Sequence, residues 1–228
     1  MWIKTMVKRV IALTKVKQIL PIQHNVDEAK ILEDKVAVII GGSGGIGVSI
    51  AKSFSESGCK VVLCGTNETK LEECVMDFEH KENVSTKIFD ISDIPSIHKK
   101  VMEIAAVFGH IDILVNSAGV HTENVDFFTV SPKEYDRVMD INIKGLYFAC
   151  REFAAYMIKN SIGTEKRHIL LISSSRGSEP AWSPYGISKW ALNGLTMGLA
   201  RILLPYGIVV NGIAPGSTAT EMIGIRGG

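Results

Sequence analysis

At 228 residues the chain is long enough for one sizeable α/β domain and too short for two comfortable ones. Hydrophobic residues make up 46%, charged residues 21%, and a net charge of +1 gives no electrostatic footprint for nucleic acid. No apolar run approaches the ~20 residues of a membrane-spanning helix, so no membrane span is expected. The four cysteines (Cys59, Cys64, Cys74 and Cys150) have neither CxxC spacing nor a histidine at a zinc-ligand interval, which points to reduced thiols, no metal site and a cytoplasmic location.

In chain order, residues 1–24 carry Lys4, Lys8, Arg9, Lys15 and Lys17 and no acid. Apolar Ile3, Met6, Val7, Val10, Leu13 and Leu20 recur among them at helical spacing. Two readings are open: a membrane-surface or targeting segment, or an extra helix packed on this subunit or its neighbour. A polar stretch with Pro21 separates this extension, residues 1–30, from a main domain over 31–228.

From Lys35 onward, apolar runs at 36–40, 60–64, 84–89, 111–115, 168–172 and 208–213 alternate with amphipathic segments near 45–57, 68–80, 93–108, 133–160 and 183–204. Strands buried on both faces read as continuous Val/Ile/Leu runs, and their alternation with helices implies βαβ units. The fold class is therefore α/β, a doubly wound parallel sheet with helices on both faces. Ser131 followed by Pro132 marks a helix start, with Ser at the N-cap and Pro at N1.

The first strand runs into Gly41-Gly42-Ser43-Gly44-Gly45-Ile46-Gly47 and then a helix. A dinucleotide pyrophosphate requires backbone NH groups, a helix N-terminus and no Cβ atoms in the way. Glycine at 41, 45 and 47 meets that need, and Ser43, Gly44 and Ile46 complete the turn. Further along, Asn116-Ser117-Ala118-Gly119 follows the fourth strand, and Asn142 interrupts a long helix despite its low helix propensity. The fifth strand ends in Ser173-Ser174-Ser175-Arg176-Gly177, where open α/β sheets bind ligands and a hydroxyl can hydrogen-bond a carbonyl. Tyr185 and Lys189 are four apart, on one helix face. A phenol with a pKa of ~10 needs a neighbouring cation, worth ~1–3 pKa units, to act near neutrality.

In combination these motifs resemble the short-chain dehydrogenase/reductase family, with its Rossmann-type sheet, from about Lys35 to Met222. The resemblance implies an NAD(P)-dependent oxidoreductase acting on a small-molecule carbonyl or alcohol, as a homodimer or homotetramer. Residue by residue it implies Tyr185 as general acid/base and Lys189 as its activator and ribose ligand. Ser174 orients the carbonyl (Ser173 and Ser175 being close alternatives), and Asn142 anchors a water in the proton relay. On the cofactor side, Asp90 and Ile91 contact adenine. Asn116, Ala118 and Gly119 line the site with Pro215, Gly216, Thr218 and Thr220, the last near the nicotinamide carboxamide.

The sequence departs from the family pattern in three places. Ile40 stands where a threonine usually ties the glycine turn to a neighbouring strand. After the second strand, Gly65 and Thr66 supply neither the acid that selects NAD nor an arginine for a 2′-phosphate. With that repulsion gone, Thr66 and Asn67 offer hydrogen bonds, and NADP is expected over NAD. The chain stops at Gly228, where the family continues into a substrate lid and a seventh strand, so six strands are expected, with the last edge unpaired. The main alternative to an active reductase is a dinucleotide-binding protein or truncated gene product without turnover. Residues 179–183 are expected to line the substrate pocket, with sterol, acyl thioester, sugar and simple ketone all open.

Overall fold

Six short aliphatic runs pair into a single parallel sheet in the order β3-β2-β1-β4-β5-β6. They are β1 (Val36–Ile40), β2 (Lys60–Gly65), β3 (Val84–Ile88), β4 (Ile113–Asn116), β5 (Arg167–Ile172) and β6 (Ile208–Ile213). The computed structural model describes residues 30–123, 126–161 and 165–218; the basic extension through residue 29 and Thr220 lie outside them. Among the described residues the sheet is the six-stranded Rossmann-type arrangement expected, and β6 is its outer strand.

The order reverses between β1 and β4, and a crevice opens at the carboxyl ends of the strands at such a switch point. The register sharpens this. Ile40 lies opposite Cys64 on one side and Asn116 on the other, so the turns after β1, β2 and β4 emerge at one level.

Among the described residues six α-helices cover the two faces: α1 (Gly45–Glu56), α2 (Glu68–Met76), α3 (Ile97–Phe108), α4 (Pro132–Met139), α5 (Leu146–Lys159) and α6 (Pro184–Leu203). Strand side chains alternate between two cores. Val38, Val62, Leu114 and Leu171 pack with Ile104 of α3, Phe153 and Met157 of α5 and Leu192 of α6. Ala37, Ile39, Leu63 and Val115 pack with Ala51 of α1 and Leu71 of α2. All five residues of β1 are buried, which explains its unbroken apolar sequence. Each fully buried aliphatic side chain stabilises by ~1.5–3 kcal/mol.

The opposite end of the sheet is locked by charge. Asp112 Oδ2 accepts from the Val36 backbone N–H at 2.9 Å and lies 3.0 Å from His110 Nε2. Arg167 donates to the Ile111 and Asn160 carbonyls, both at 3.0 Å, tying β5 to β4 and to the end of α5.

Several boundaries differ from expectation for identifiable reasons. The segment 68–80 is helical only through Met76, because Asp77 and Phe78 tighten into i→i+3 bonds to Cys74 and Val75 and Phe78 turns back into the core. The segment 93–108 begins as a 3₁₀ turn over Ile94–Ser96 before α3. The long helix expected over 133–160 is three pieces. A π-helical segment, Asp140–Gly145, separates α4 from α5 and carries Asn142. Ser131 caps α4 as expected, accepting from Glu134 N at 3.1 Å, with Pro132 in the first turn.

Candidate active site

The glycine turn is held by backbone alone. Gly41 N and Gly42 N both donate to the Cys64 carbonyl at 2.9 Å, and Ser117 N donates to the Ile40 carbonyl at 2.8 Å. These bonds tie the turn to β2 and β4 without the threonine that Ile40 replaces. Ile40 is instead buried in the core. Gly41 has φ +79°, and a Cβ there would meet Ala118 N at 2.6 Å. A Cβ on Gly47 would meet the Gly41 carbonyl at 2.3 Å. Helix α1 begins at Gly45 with no side-chain cap, so its first N–H groups face the crevice.

Two cavities meet along this crevice. One, of about 260 Å³, is lined by Gly41, Ser43, Gly44, Gly65, Thr66, Asp90, Ile91, Ala118 and Gly119, with Phe89 closing it. The other, of about 200 Å³, is lined by Ile46, Gly119, Ser174, Tyr185, Lys189, Pro215, Gly216 and Thr218. Gly119 belongs to both. An uncapped helix end, glycines where a Cβ would collide, and two joined cavities are what a dinucleotide requires, and the residues present fit that group.

Five of the expected contact residues also have structural parts in the fold. Asn67 does not line the cavity: its Oδ1 caps α2, accepting from Lys70 N at 2.9 Å. The Asp90 carboxylate accepts from Ser92 N at 2.9 Å and Ser92 Oγ at 2.6 Å, fixing the loop after β3. Asn116 is buried beneath the crevice, its Oδ1 accepting from Ala118 N at 3.1 Å. Gly45 and Gly47 shape the start of α1.

Tyr185 and Lys189 lie in the first two turns of α6. Ser183 Oγ accepts from Gly186 N at 3.1 Å and Thr122 Oγ1 from Tyr185 N at 3.0 Å, so two orphan donors of the helix start are satisfied. Lys189 Nζ donates to the Ile172 carbonyl at 3.0 Å and stands 5.5 Å from the centre of the Tyr185 ring. Burial pushes the Lys189 ammonium down to about 8, which leaves it predominantly charged at neutral pH.

The three serines after β5 separate by their partners. Ser173 Oγ donates to Asn193 Oδ1 at 2.6 Å. Ser174 Oγ, 8% exposed as a residue, accepts among the described residues only a long bond from Arg176 N at 3.3 Å and lines the cavity beside Tyr185. Ser175 opens the 3₁₀ turn Ser175–Ser178, its N–H bound to the Pro215 carbonyl at 2.9 Å. Asn193 also donates to the Gly177 carbonyl at 3.0 Å, clamping that turn to α6.

Asn142 sits behind the site. Its Oδ1 accepts from Val120 N at 2.8 Å, and its Nδ2 donates to the Val120 carbonyl and to Ser188 Oγ, both at 3.0 Å. This two-point grip on Val120 carries the loop after β4 to α6. A Cβ on Gly119 would fall 3.4 Å from Asn142 Oδ1 and 3.6 Å from Lys189 Nζ, so the two side chains converge on that glycine. The π turn places Gly145 against the Ile91 carbonyl, where a Cβ would stand 2.3 Å away.

The structure adds residues that the motifs did not single out. His121 stacks on Tyr185, ring centres 4.3 Å apart, and a third cavity of about 240 Å³ is lined by His121, Thr122, Arg176, Pro180, Ala181, Trp182 and Ser183. Glu179, expected among the lining residues, is not one of them. Its carboxylate turns to Arg176 Nη1 at 2.8 Å. His121 follows Gly119 by two residues on a strand-end loop, which is the signal that would have found it.

A Rossmann-type sheet with this crevice and this Tyr/Lys/Ser cluster defines a nicotinamide-dependent dehydrogenase or reductase. The family described as short chain dehydrogenase matches residues 35–226, and the chain belongs to that family. The 3alpha-hydroxysteroid dehydrogenase of Mediterraneibacter gnavus is 33% identical over 198 residues, covering 84% of this chain and 77% of that protein. The 3-ketoacyl-(acyl-carrier-protein) reductase of Brucella melitensis, solved with NADH, superposes with a TM-score of 0.78 at 28% identity, covering 84% of this chain and 78% of its own. A gluconate 5-dehydrogenase of Burkholderia cenocepacia, solved with NADP and tartrate, gives 0.76 at 28% identity, covering 86% and 76%. The chain is thus an NAD(P)-dependent oxidoreductase. No helix among the described residues is long and apolar enough to cross a membrane.

Proposed function

We propose that the chain interconverts a carbonyl and a secondary alcohol, with Tyr185 as the proton-transferring group. The observation that carries this is the buried Lys189 ammonium 5.5 Å from the Tyr185 ring, in a cavity that also contains Ser174 and adjoins the glycine turn. When bound, the nicotinamide supplies or accepts the hydride. In reduction, Ser174 Oγ holds the carbonyl oxygen by donating to it, and the Tyr185 hydroxyl delivers its proton to that oxygen. The resulting phenolate is stabilised by the Lys189 ammonium, and oxidation runs the same steps in reverse. Asn142 acts through Val120, in the loop after β4, and through Ser188, which adjoins Lys189 on α6 and donates to the Tyr185 carbonyl at 2.7 Å. The uncapped start of α1 receives the pyrophosphate, with Gly41, Ser43 and Gly44 in the approach; Thr218 and Thr220 serve the nicotinamide end.

NADP is the proposed nucleotide. Gly65 places no carboxylate at the ribose end, and Thr66 and Ser43 present hydroxyls to the same cavity. Oligomerisation through α5 and α6 is supported by their exposed Tyr147, Trp190, Met197 and Ile202, and light scattering tests it. Fluorescence titration with NADPH and NADH, beside NADPH-dependent reduction of a ketone panel, tests the rest. Tyr185→Phe is expected to keep nucleotide affinity within about twofold and to lose at least ~1000-fold in turnover. Equal turnover by wild type and variant refutes the role of Tyr185.

A further inference from the structure

The proton-transferring cluster leaves two features of its surroundings unused: Arg176 and His121. Both line the cavity that holds Tyr185 and Lys189, and both line the adjoining cavity walled by Pro180, Ala181 and Trp182. Together the two cavities are walled by Lys189, Arg176 and His121, and among the described residues neither wall contains an Asp or a Glu. A site for neutral ketones has no need of an always-charged guanidinium beside its reacting groups.

The plain alternative is that Arg176 is half of a surface ion pair with Glu179, three residues on. The geometry argues for more. Arg176 is positioned by the 3₁₀ turn that Ser174 caps, its own N–H reaching Ser174 Oγ, and the turn is clamped to α6 by Asn193. Among the described residues Glu179 is the only partner of the guanidinium, and it engages Nη1 alone. Both side chains are exposed, 67% and 49%, so the pair is weakly held and exchanges readily. A guanidinium presents five donors in a fork matched to a carboxylate, and a bidentate ligand outcompetes a single-point partner. His121 adds a second polar point. Its Nδ1 lies 2.8 Å from the Thr122 carbonyl and so carries the proton, leaving Nε2 as an acceptor for a substrate hydroxyl.

We infer that the enzyme acts on oxo or hydroxy acids, with Arg176 anchoring the substrate carboxylate while the carbonyl meets Tyr185 and Ser174. Glu179 is the internal competitor for that anchor. The inference rests on Tyr185 being the reacting centre, and its test separates the two.

Acetoacetate, levulinate and pyruvate are compared with their methyl esters by kcat/KM, in wild type, Arg176→Gln and Glu179→Gln. In parallel, succinate and dimethyl succinate are titrated into the NADPH-loaded proteins by calorimetry, which needs no turnover. Wild type is expected to favour at least one acid over its ester by ~10-fold or more, Arg176→Gln to reduce that ratio ~10–100-fold, and Glu179→Gln to raise it ~2–5-fold. Succinate binds wild type and loses its binding in Arg176→Gln, with dimethyl succinate binding neither. Arg176-dependent succinate binding without any reduction supports the anchor and overturns the role of Tyr185. Reduction of esters as efficiently as acids, an acid-to-ester ratio indifferent to Arg176, or no succinate binding overturns the anchor and leaves Tyr185 untouched.

Discussion

Lys189 is the buried charge on which the proposed chemistry depends, and replacing it with methionine should stabilise the protein while disabling it. Its ammonium is pushed by burial from the ordinary 10.5 to about 8, which corresponds to roughly 3 kcal/mol against the folded state wherever the group is protonated in both states. Methionine has a similar volume and no charge. It forfeits the bond to the Ile172 carbonyl, worth about 1 kcal/mol, so Lys189→Met gains about 2 kcal/mol at pH 7. The sign follows from proton counting. Below pH 8 both folded and unfolded chains hold the proton, and the wild type bears the whole penalty. Between pH 8 and 10.5 the folded chain releases its proton first, so wild-type stability rises relative to the variant, and above 10.5 the penalty is gone. Urea unfolding of both proteins without nucleotide, at pH 7 and pH 10, measures the difference at each pH, and contributions common to both proteins cancel. A variant less stable than wild type at pH 7, or an advantage unchanged at pH 10, refutes the reasoning. Turnover should be lost at both pH values, a stability–activity exchange at one position.

Gly65→Asp tests the nucleotide preference. A Cβ there meets Leu71 and Ser43 at an ordinary 3.5 Å, so the position accepts a side chain, and a carboxylate on it would repel a 2′-phosphate. The ratio of NADPH to NADH affinity should fall ~10–100-fold, read by fluorescence titration, and an unchanged ratio rejects the assignment of this position to the ribose. Gly47→Ala places a methyl 2.3 Å from the Gly41 carbonyl and should cost ~2 kcal/mol or more together with nucleotide binding. A folded variant that binds NADPH normally removes the close-approach argument. Gly145→Ala meets the Ile91 carbonyl at the same distance and should destabilise by a similar amount in thermal unfolding, whereas a melting point within 1 °C of wild type counts against the π turn as a fixed feature.

The sheet was legible because its strands are buried on both faces and therefore read as unbroken aliphatic runs, with β1 the clearest case. What escaped was the termination of elements by tertiary contact. Nothing in the local pattern distinguishes residues 77–80 from a continuing helix; Phe78 leaves α2 because the core beneath β1 and β2 receives its ring. The π turn was invisible for the same reason. Its cause is spread over Val120, Ser188 and Ile91, three separate segments that meet only in the folded chain.

The site divides along the same line. That Tyr185, Lys189 and Ser174 would line one cavity was legible from their spacing and strand-end position. Asn67 is ambiguous because a polar residue after a strand serves equally as a ribose contact and as a helix cap, and here its oxygen accepts from the Lys70 N–H. Arg176 and His121 have no spacing rule at all. They come together because one follows β5 and the other β4, and these neighbouring strands deliver both loops to the same mouth. Motifs carry the proposed chemistry, while Arg176 and His121 lie in loops that the sheet order brings into contact, so Arg176 and Glu179, rather than Tyr185, Lys189, Ser174 and Asn142, are where specificity should be sought.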